Sequence, residues 1–253
     1  MPTRNTPWPA GTPCWIDLAS TDLPAARTFY AELFGWTVPE GSAEFGGYSS
    51  ATLDGSRVAG LGSTMREDQP SAWLTYIATD DVAASAAAVE DAGGTVHTPP
   101  DQVGPLGSLA VVADPTGVVF GLWQAGQHPG VELFNSPGGL VWNEAAVSDP
   151  AAARAFYSKV FGWQWDPVEG MAEYQTFRLG DRWLGGLGGT SEGAAPGWAT
   201  CFAVASTDDT VALTADRGGS VLVAAQDTTY GRFAVLADPQ GAAFSVMQVA
   251  GEG

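Results

Sequence analysis

The sequence predicts an α+β fold made of two tandem, duplicated domains, with helices on one face of curved, mostly antiparallel sheets. Three observations support this prediction. A repeat spans nearly the whole chain, apolar residues switch between strand and helix spacing in the same order in both copies, and turn residues recur at matching places. The chain has 253 residues, 45% of them hydrophobic, which is enough to bury a sizeable core.

The repeat can be read directly from the printed sequence. The matching segments are, in order, residues 22–30 with 149–157, 34–36 with 161–163, 60–62 with 186–188, Trp73 with Trp198, 93–94 with 218–219, and 114–117 with 238–241. Because the spacing hardly drifts, each copy is nearly free of gaps. We therefore predict a first domain at residues 1–126 and a second at 127–253, with the boundary in the Gly- and Pro-containing stretch 126–139.

The first unit of each copy begins with a strand, at residues 14–19 in the first copy. Asp22 is placed to cap the following helix, because its carboxylate can accept a backbone N–H, and Pro24 is tolerated in a first turn. Gly35 ends this helix, since glycine readily adopts the left-handed conformation. Apolar residues at helical spacing predict the buried face, namely Ala26, Phe29, Tyr30, Leu33 and Phe34.

The other elements follow in a fixed order. They are strands at 48–53 and 57–63 around an Asp54-Gly55 turn, a strand at 73–79, an alanine-rich helix at 81–92 stopped by Gly93-Gly94, a strand near Thr95, and strands at 109–113 and 118–123 joined by the turn 114–117. Each copy therefore contains two strand–helix–strands units, and the whole chain contains four.

Composition limits the classes of function. A formal net charge of −18 repels phosphate backbones, which argues against nucleic acid and anionic membranes as partners. No segment approaches the roughly 18 apolar residues of a membrane span, and the N-terminus has no apolar stretch of signal-peptide length. Cys14 and Cys201 form no CxxC motif, and two thiols without an export signal fit a reducing cytoplasm. We expect a cytoplasmic protein.

The helix and turn motifs resemble a known family. A strand, then Asp-x-x-x-(Ala/Ser)-x-x-Phe-Tyr-x-x-x-(Leu/Val)-Phe-Gly-Trp, then a closing Asp-Pro-x-Gly strand is similar to the vicinal oxygen chelate (glyoxalase/bleomycin-resistance/extradiol-dioxygenase) superfamily. More narrowly, the chain is similar to tandem actinobacterial proteins labelled hydroxylases. The resemblance implies four βαβββ units, whose sheets pair into cups that hold a divalent metal with His, His or Gln, and Glu ligands.

The positions that the resemblance assigns to metal ligands hold other residues. They are Trp15, Leu74 and Gly121 in the first copy, and Trp142, Ala199 and Ser245 in the second. The two histidines, His97 and His128, lie elsewhere in the sequence. Because a metal site needs several converging imidazole or carboxylate donors, we predict that no metal ligands remain, and we predict no other cofactor.

A carboxylate follows each lost first ligand by two residues. Asp17 follows Trp15, and Glu144 follows Trp142. Since positions i and i+2 of a strand face the same side, each carboxylate shares the cup with its tryptophan. A carboxylate in an aromatic cavity has a raised pKa, so Asp17 and Glu144 are the candidate general acid or base, or the groups that fix a ligand amine. The alternative is a carboxylate solvated at the wet end of its strand.

Aromatic residues in the predicted strands are the candidate ligand-binding groups. Their flat faces stack on planar ligands and attract cations, whereas the alternative is that most of them form core. This set comprises Trp15, Tyr48, Trp73, Trp123, Trp142, Tyr174 and Trp198.

Two functional classes remain open, and the sequence does not decide whether the protein is an enzyme. The first is a metal-independent protein that binds or tailors an apolar, aromatic or cationic metabolite. The second is an enzyme with metal-dependent lyase, hydroxylase or dioxygenase chemistry. The expected partner is a small molecule, and the expected state is a monomer or a homodimer.

Overall fold

The structure is a computed structural model, and it describes residues 2–41, 46–190 and 195–249. The helices are α1 (Leu23–Phe34), α2 (Val82–Asp91), α3 (Pro150–Phe161) and α4 (Thr207–Asp216). The strands of the first copy are β1 (Pro13–Ser20), β2 (Ser49–Leu53), β3 (Ser56–Ser63), β4 (Ala72–Ala78), β5 (Thr95–Val103), β6 (Gly107–Ala113) and β7 (Val119–Ala125). Those of the second copy are β8 (Leu140–Val147), β9 (Gln164–Val168), β10 (Met171–Leu179), β11 (Arg182–Gly189), β12 (Gly197–Ala203), β13 (Ser220–Thr228), β14 (Gly231–Ala237) and β15 (Ala243–Val249).

The ends of the first helix of each copy follow from local chemistry. Asp22 accepts a hydrogen bond from the Ala25 amide, and Asp149 accepts from two amides at the start of α3. A proline stands in the first turn of each helix, where no amide hydrogen is needed. Gly35 and Gly162 end the helices at φ angles of 71° and 72°, a conformation that glycine adopts without steric cost.

The strands form two open, curved sheets, one from each copy. The first has seven strands in the order β2-β3-β1-β4-β7-β6-β5, and the second has eight in the order β13-β14-β15-β12-β8-β11-β10-β9. Most neighbours are antiparallel, and the parallel pairs are β1–β3, β4–β7, β8–β11 and β12–β15. The predicted α+β class with four repeated units is therefore confirmed. The first unit of the first copy differs in one detail: it has only an isolated β-bridge between Thr37 and Thr52, at the position where the first unit of the second copy has strand β9.

The core is shared between the two copies, which the sequence did not predict. One apolar cluster joins β1 and α1 of the first copy to Phe202 and Phe244 of the second. The other joins Ile77 and Phe120 of the first copy to α3 and its neighbours in the second. Strands β4 and β12 contact each other, and the Thr75 hydroxyl of β4 donates to the Asn143 side chain of the neighbouring strand β8 at 3.2 Å. The helix-bearing faces of the two sheets thus pack against each other.

A reciprocal pair of polar contacts links the copies. The Tyr30 hydroxyl donates to Asp238 of the second copy at 3.1 Å, and the Tyr157 hydroxyl donates to Asp114 of the first at 3.1 Å. Each aspartate begins an Asp-Pro-x-Gly turn and also accepts from amides of that turn. The repeated Phe-Tyr and Asp-Pro-x-Gly motifs therefore meet across the contact between copies. The division at residue 126 stays a prediction, because each copy buries its first helix against the other.

Within the described residues, none of the helices is both long and apolar enough to cross a membrane. Cys14 and Cys201 are free thiols and are buried, as expected of small hydrophobic side chains.

Candidate functional site

The face of each sheet opposite the helices carries the predicted carboxylates. Strand register places Trp15 beside Tyr76, Asp17 beside Leu74, and Tyr76 beside Gly121. Because alternate residues of a strand share a face, all of these side chains lie on one surface. We call this surface the first cup face. The second cup face is its equivalent, on which Trp142 pairs with Cys201, Glu144 with Ala199, and Cys201 with Ser245.

Asp17 lies at the centre of a polar cluster on the first cup face. Its Oδ1 accepts from Trp15 Nε1 at 2.6 Å and from the Tyr48 hydroxyl at 2.7 Å. The Tyr76 hydroxyl also lies close enough to this carboxyl to favour its ionised form. Burial raises the pKa of Asp17 above its usual value, and the hydrogen bonds from Tyr48 and Trp15, together with the nearby Tyr76 hydroxyl, partly offset that rise.

Glu144 occupies the matching place in the second copy with fewer partners. Its Oε2 accepts from the Tyr174 hydroxyl at 3.0 Å. Trp142 Nε1 donates to that same hydroxyl at 3.2 Å instead of to the carboxyl. Burial raises the pKa of Glu144, and the Tyr174 hydrogen bond lowers it again in part. Both copies therefore combine a tryptophan, a tyrosine and a carboxyl group of raised pKa.

Glycines in β3 and β11 make room for the two tyrosines. A Cβ at Gly60 would lie 2.0 Å from both Asp17 Oδ1 and the Tyr48 hydroxyl. A Cβ at Gly186 would lie 1.9 Å from the Tyr174 hydroxyl. The repeated Gly-Leu-Gly motif is thus explained by the close approach of each tyrosine ring to the strand below it.

Two of the predicted ligand-binding residues, Trp73 and Trp198, lie on the opposite face of their sheets. That part of the prediction is wrong. Each is packed among aromatic side chains in the shared core, and their Nε1 atoms donate to the hydroxyls of Tyr30 and Tyr157. The physical reason is strand alternation: Trp73 is adjacent to Leu74, which shares the face of Asp17, so the two side chains must point to opposite sides.

The other predicted aromatic residues do lie on the cup faces. Trp15, Tyr48, Trp142 and Tyr174 surround the carboxyl groups as described. Trp123 pairs with Ala78 on the first cup face, only 6% exposed, and its Nε1 donates to the His128 carbonyl oxygen.

Sequence reasoning missed two residues of the first cup face, Tyr76 and His128. The signal for Tyr76 was present, because it follows Leu74 by two residues on a strand. His128 lies in the segment between the two copies. Its ring packs edge-on against Trp15 and Trp123, with distances between ring centroids of 4.3 Å and 5.5 Å. Its Nδ1 accepts from the Gly130 amide, which places the ring hydrogen on Nε2.

A surface cavity of about 190 Å³ has Trp123 in its wall, but neither Asp17 nor Glu144 lines it.

The implied metal positions do not fit a metal. Trp15, Leu74 and Gly121 lie on adjacent strands of the first cup face, and Trp142, Ala199 and Ser245 do the same in the second. Apart from the Ser245 hydroxyl, none of these side chains offers a donor suited to a divalent cation. Among the residues that the structure describes, no group of three or more His, Cys, Asp or Glu side chains is arranged so that it could hold a metal ion.

Comparisons with known proteins agree with this architecture. Residues 14–122 match the family described as the glyoxalase/bleomycin resistance protein/dioxygenase superfamily, and residues 142–247 match a glyoxalase-like domain. The chain is 42% identical to "Putative glyoxylase CFP32" of Mycobacterium tuberculosis, covering 99% of each chain. It is 36% identical to "Anthracycline biosynthesis protein DnrV" of Streptomyces peucetius, covering 98% of this chain and 95% of that protein.

Solved structures share the fold at low identity. The Mn(II)-bound glyoxalase from Novosphingobium aromaticivorans is 16% identical with a TM-score of 0.69, over 94% of this chain and 82% of that one. The 2,2',3-trihydroxybiphenyl 1,2-dioxygenase from Sphingomonas wittichii is 18% identical with a TM-score of 0.67, over 96% and 93%. At these identities the likeness concerns the fold alone.

Proposed function

Because this chain belongs to the glyoxalase/bleomycin resistance protein/dioxygenase superfamily, we propose that it binds or tailors a small molecule without a metal. One observation supports this most strongly. Where the family's fold places metal ligands, this chain has aromatic and small side chains, and a carboxyl group hydrogen-bonded to tyrosine stands beside them in both copies. The cup faces thus retain a place for a ligand while offering it organic contacts instead of a cation.

The chemistry of the cup faces indicates the class of ligand. Trp15 and Trp142 supply flat apolar surface, and Asp17 and Glu144 supply acceptors for a hydroxyl or ammonium donor. The net charge of −18 favours neutral or cationic molecules over anionic ones. The similarity to a protein of anthracycline biosynthesis makes aromatic polyketides the first class to test.

The raised pKa of each carboxyl group suits either of two roles. A protonated carboxyl donates a hydrogen bond or a proton to a carbonyl oxygen, whereas its ionised form accepts a proton or binds an ammonium group. In a tailoring enzyme, Asp17 or Glu144 would move a proton at the bound substrate. In a binding protein, the same groups would only fix the orientation of the ligand.

The alternative is metal-dependent lyase, hydroxylase or dioxygenase chemistry. It is favoured by the relative named as a putative glyoxylase. The donor set speaks against it, since the described residues contain no group of three or more His, Cys, Asp or Glu side chains that could hold a metal ion.

Titration of chelator-treated protein with the anthracycline daunorubicin, followed by chromatography of the ligand, tests the proposal. We expect saturable quenching of tryptophan fluorescence. The affinity should fall in at least one of the variants Asp17→Asn and Glu144→Gln, whereas Glu67→Gln, at an exposed position, serves as the control. A chemically unchanged ligand indicates binding, and a product that a carboxyl variant no longer forms indicates tailoring. Binding that appears only after a divalent metal is added would contradict the proposal.

A further inference from the structure

We propose that the ligand binds on the second cup face alone, where Glu144 accepts a hydrogen bond from a hydroxyl or ammonium donor of a flat molecule lying against Trp142. Asp17 of the first copy has a structural role instead. This inference rests on the proposed function and assigns that function to one of two similar surfaces.

The first difference between the copies is the number of hydrogen bonds that each carboxyl group receives. Asp17 accepts hydrogen bonds from two side chains of its own chain, Trp15 and Tyr48. Glu144 receives one side-chain hydrogen bond, from Tyr174 to Oε2. Glu144 is thus held by fewer side-chain donors of its own chain than Asp17, which leaves more of its acceptor capacity for a ligand.

The second difference is the volume of the neighbouring side chains. In the first copy the Tyr76 ring lies so close above Gly121 that a Cβ there would be 2.0 Å from the ring. In the second copy Cys201 and Ser245 form the equivalent pair. A thiol at this place is much smaller than a phenol ring, so the space that the Tyr76 ring fills above Gly121 is less filled in the second copy.

The third difference is the cover over the tryptophan. Trp15 is only 3% exposed, and the His128 ring packs against it and against Trp123. Trp142 is partly exposed. Met247 stands at the position equivalent to Trp123, as its pairing with Ala203 shows. A flexible thioether replaces a rigid indole that is fixed by a hydrogen bond.

The edge of the second cup face fits an aromatic ligand. Tyr230 lies in the turn between β13 and β14 and is 60% exposed. It is near enough to Tyr174 to contribute to the raised pKa of that phenol. The partly exposed Trp142 indole gives a flat molecule a surface to contact, and Glu144, two residues further on the same face of β8, can accept its donor.

The test transfers the filled arrangement of the first copy into the second. In the double variant Cys201→Tyr/Ser245→Gly, the tyrosine copies Tyr76 and the glycine makes room for its ring. We measure daunorubicin binding by calorimetry for wild type, this double variant, Glu144→Gln and the matched Asp17→Asn. Daunorubicin is a suitable probe because its flat ring system carries phenol donors and its attached amino sugar carries one ammonium group.

We expect one site per chain in the wild type and at least a tenfold loss of affinity in both the double variant and Glu144→Gln. In the glutamine variant, the amide oxygen takes the Tyr174 hydrogen bond, so an NH₂ group faces the ligand donor. Asp17→Asn should bind within threefold of wild type. Circular dichroism melting curves show whether each variant is folded, and Met247→Trp replaces the double variant if that one is unfolded.

The outcomes separate the two proposals. No binding by the wild type would contradict the proposed ligand class, and this inference with it. Binding by the wild type that weakens equally in Asp17→Asn, or that shows two equivalent sites, would overturn this inference while leaving the proposed function standing.

Discussion

At the residue scale, His128 combines deep burial with an ionisable ring. It is 6% exposed and packs against Trp15 and Trp123, and burial together with the nearby Arg57 guanidinium lowers its pKa to about 4. The folded protein therefore holds this ring in its neutral form at a pH where an exposed histidine is protonated. Because the unfolded chain takes up the proton first, this residue stabilises the fold above about pH 6.5, and the stabilisation is lost as the pH falls towards 4.

We predict that His128→Gln reduces the acid sensitivity of the fold. Between pH 6.5 and 4, the free energy of unfolding should fall by about 3 kcal/mol more in the wild type than in the variant, because only the wild type has the His128 ring. Asp17 and Glu144 act in the opposite sense, since their raised pKa values make their neutral forms stabilising at low pH. They are common to both proteins and cancel in the difference. Urea titrations at several pH values measure it, and parallel curves for the two proteins would refute the assignment.

A second prediction concerns the glycines beneath Tyr48. Gly60→Ala should destabilise the protein by about 2 kcal/mol or more, since the added methyl group would meet both the Asp17 carboxyl and the Tyr48 hydroxyl at 2.0 Å. Gly62→Ala is the matched control, because its Cβ would lie 3.2 Å from the Tyr48 ring, a contact that a small shift relieves. Thermal melting compares the two. Equal losses of stability would mean that the close approach at Gly60 is not the cause.

The sequence predicted part of the candidate site, and the limits have a physical origin. The i, i+2 rule on a strand is local, so it placed Trp15 with Asp17 and Trp142 with Glu144. The same rule, applied to Leu74 and Trp73, would have excluded Trp73. His128 could not be placed from the sequence, because no local rule tells where a linker between two domains comes to rest.

At the element scale, the start of the first helix of each copy depends on a single carboxylate. Asp149 accepts from the Ala151 amide at 3.1 Å and from the Ala152 amide at 3.0 Å. We predict that Asp149→Ala lowers the unfolding free energy by about 1 kcal/mol, whereas Asp149→Asn keeps most of it. Chemical denaturation measures the difference, and an equal loss in both variants would contradict a role as the hydrogen-bond acceptor at this cap.

The two outer strands that follow α2 and α4 differ in how they are protected. Strand β5 carries Pro99 and Pro100, which cannot donate to another strand. Its counterpart β13 has no proline, and it exposes Val221, Leu222 and Val223.

The limits of most helices, strands and turns agree with those predicted from the sequence to within a few residues, because helix caps, strand alternation and turn residues act locally. The protection of an edge is a property of the sheet and could not be read in the same way.

At the scale of the whole molecule, the two copies depend on each other. Phe202 and Phe244 of the second copy lie in one apolar cluster with Tyr30, and Phe120 of the first copy lies in the other with Tyr157. The apolar residues at helical spacing correctly predicted which face of the helix is buried. They do not show which of the two sheets covers that face. This is why the repeat indicated two domains without indicating that they share a core.

We predict that residues 1–126 and 127–253 do not fold when produced separately, since each would expose the surface that the other buries. Produced together, they should form a one-to-one complex with a cooperative thermal transition. Weakening the contact between them with Tyr30→Phe and Tyr157→Phe should lower the melting temperature of the intact chain, because Asp238 and Asp114 each lose a buried hydrogen bond. Two separately folded halves with native-like tertiary signals would contradict the shared core.

The central claim is that the cup faces bind their ligand without a metal. The most direct measurement is the metal content, by mass spectrometry, of untagged protein that is purified without chelators and retains daunorubicin binding. We predict far less than one equivalent of manganese, iron, zinc or nickel per chain, and an unchanged affinity after chelator treatment. Near one equivalent of a divalent metal, lost together with ligand binding in Glu144→Gln, would contradict the claim and assign a metal site to the second cup face.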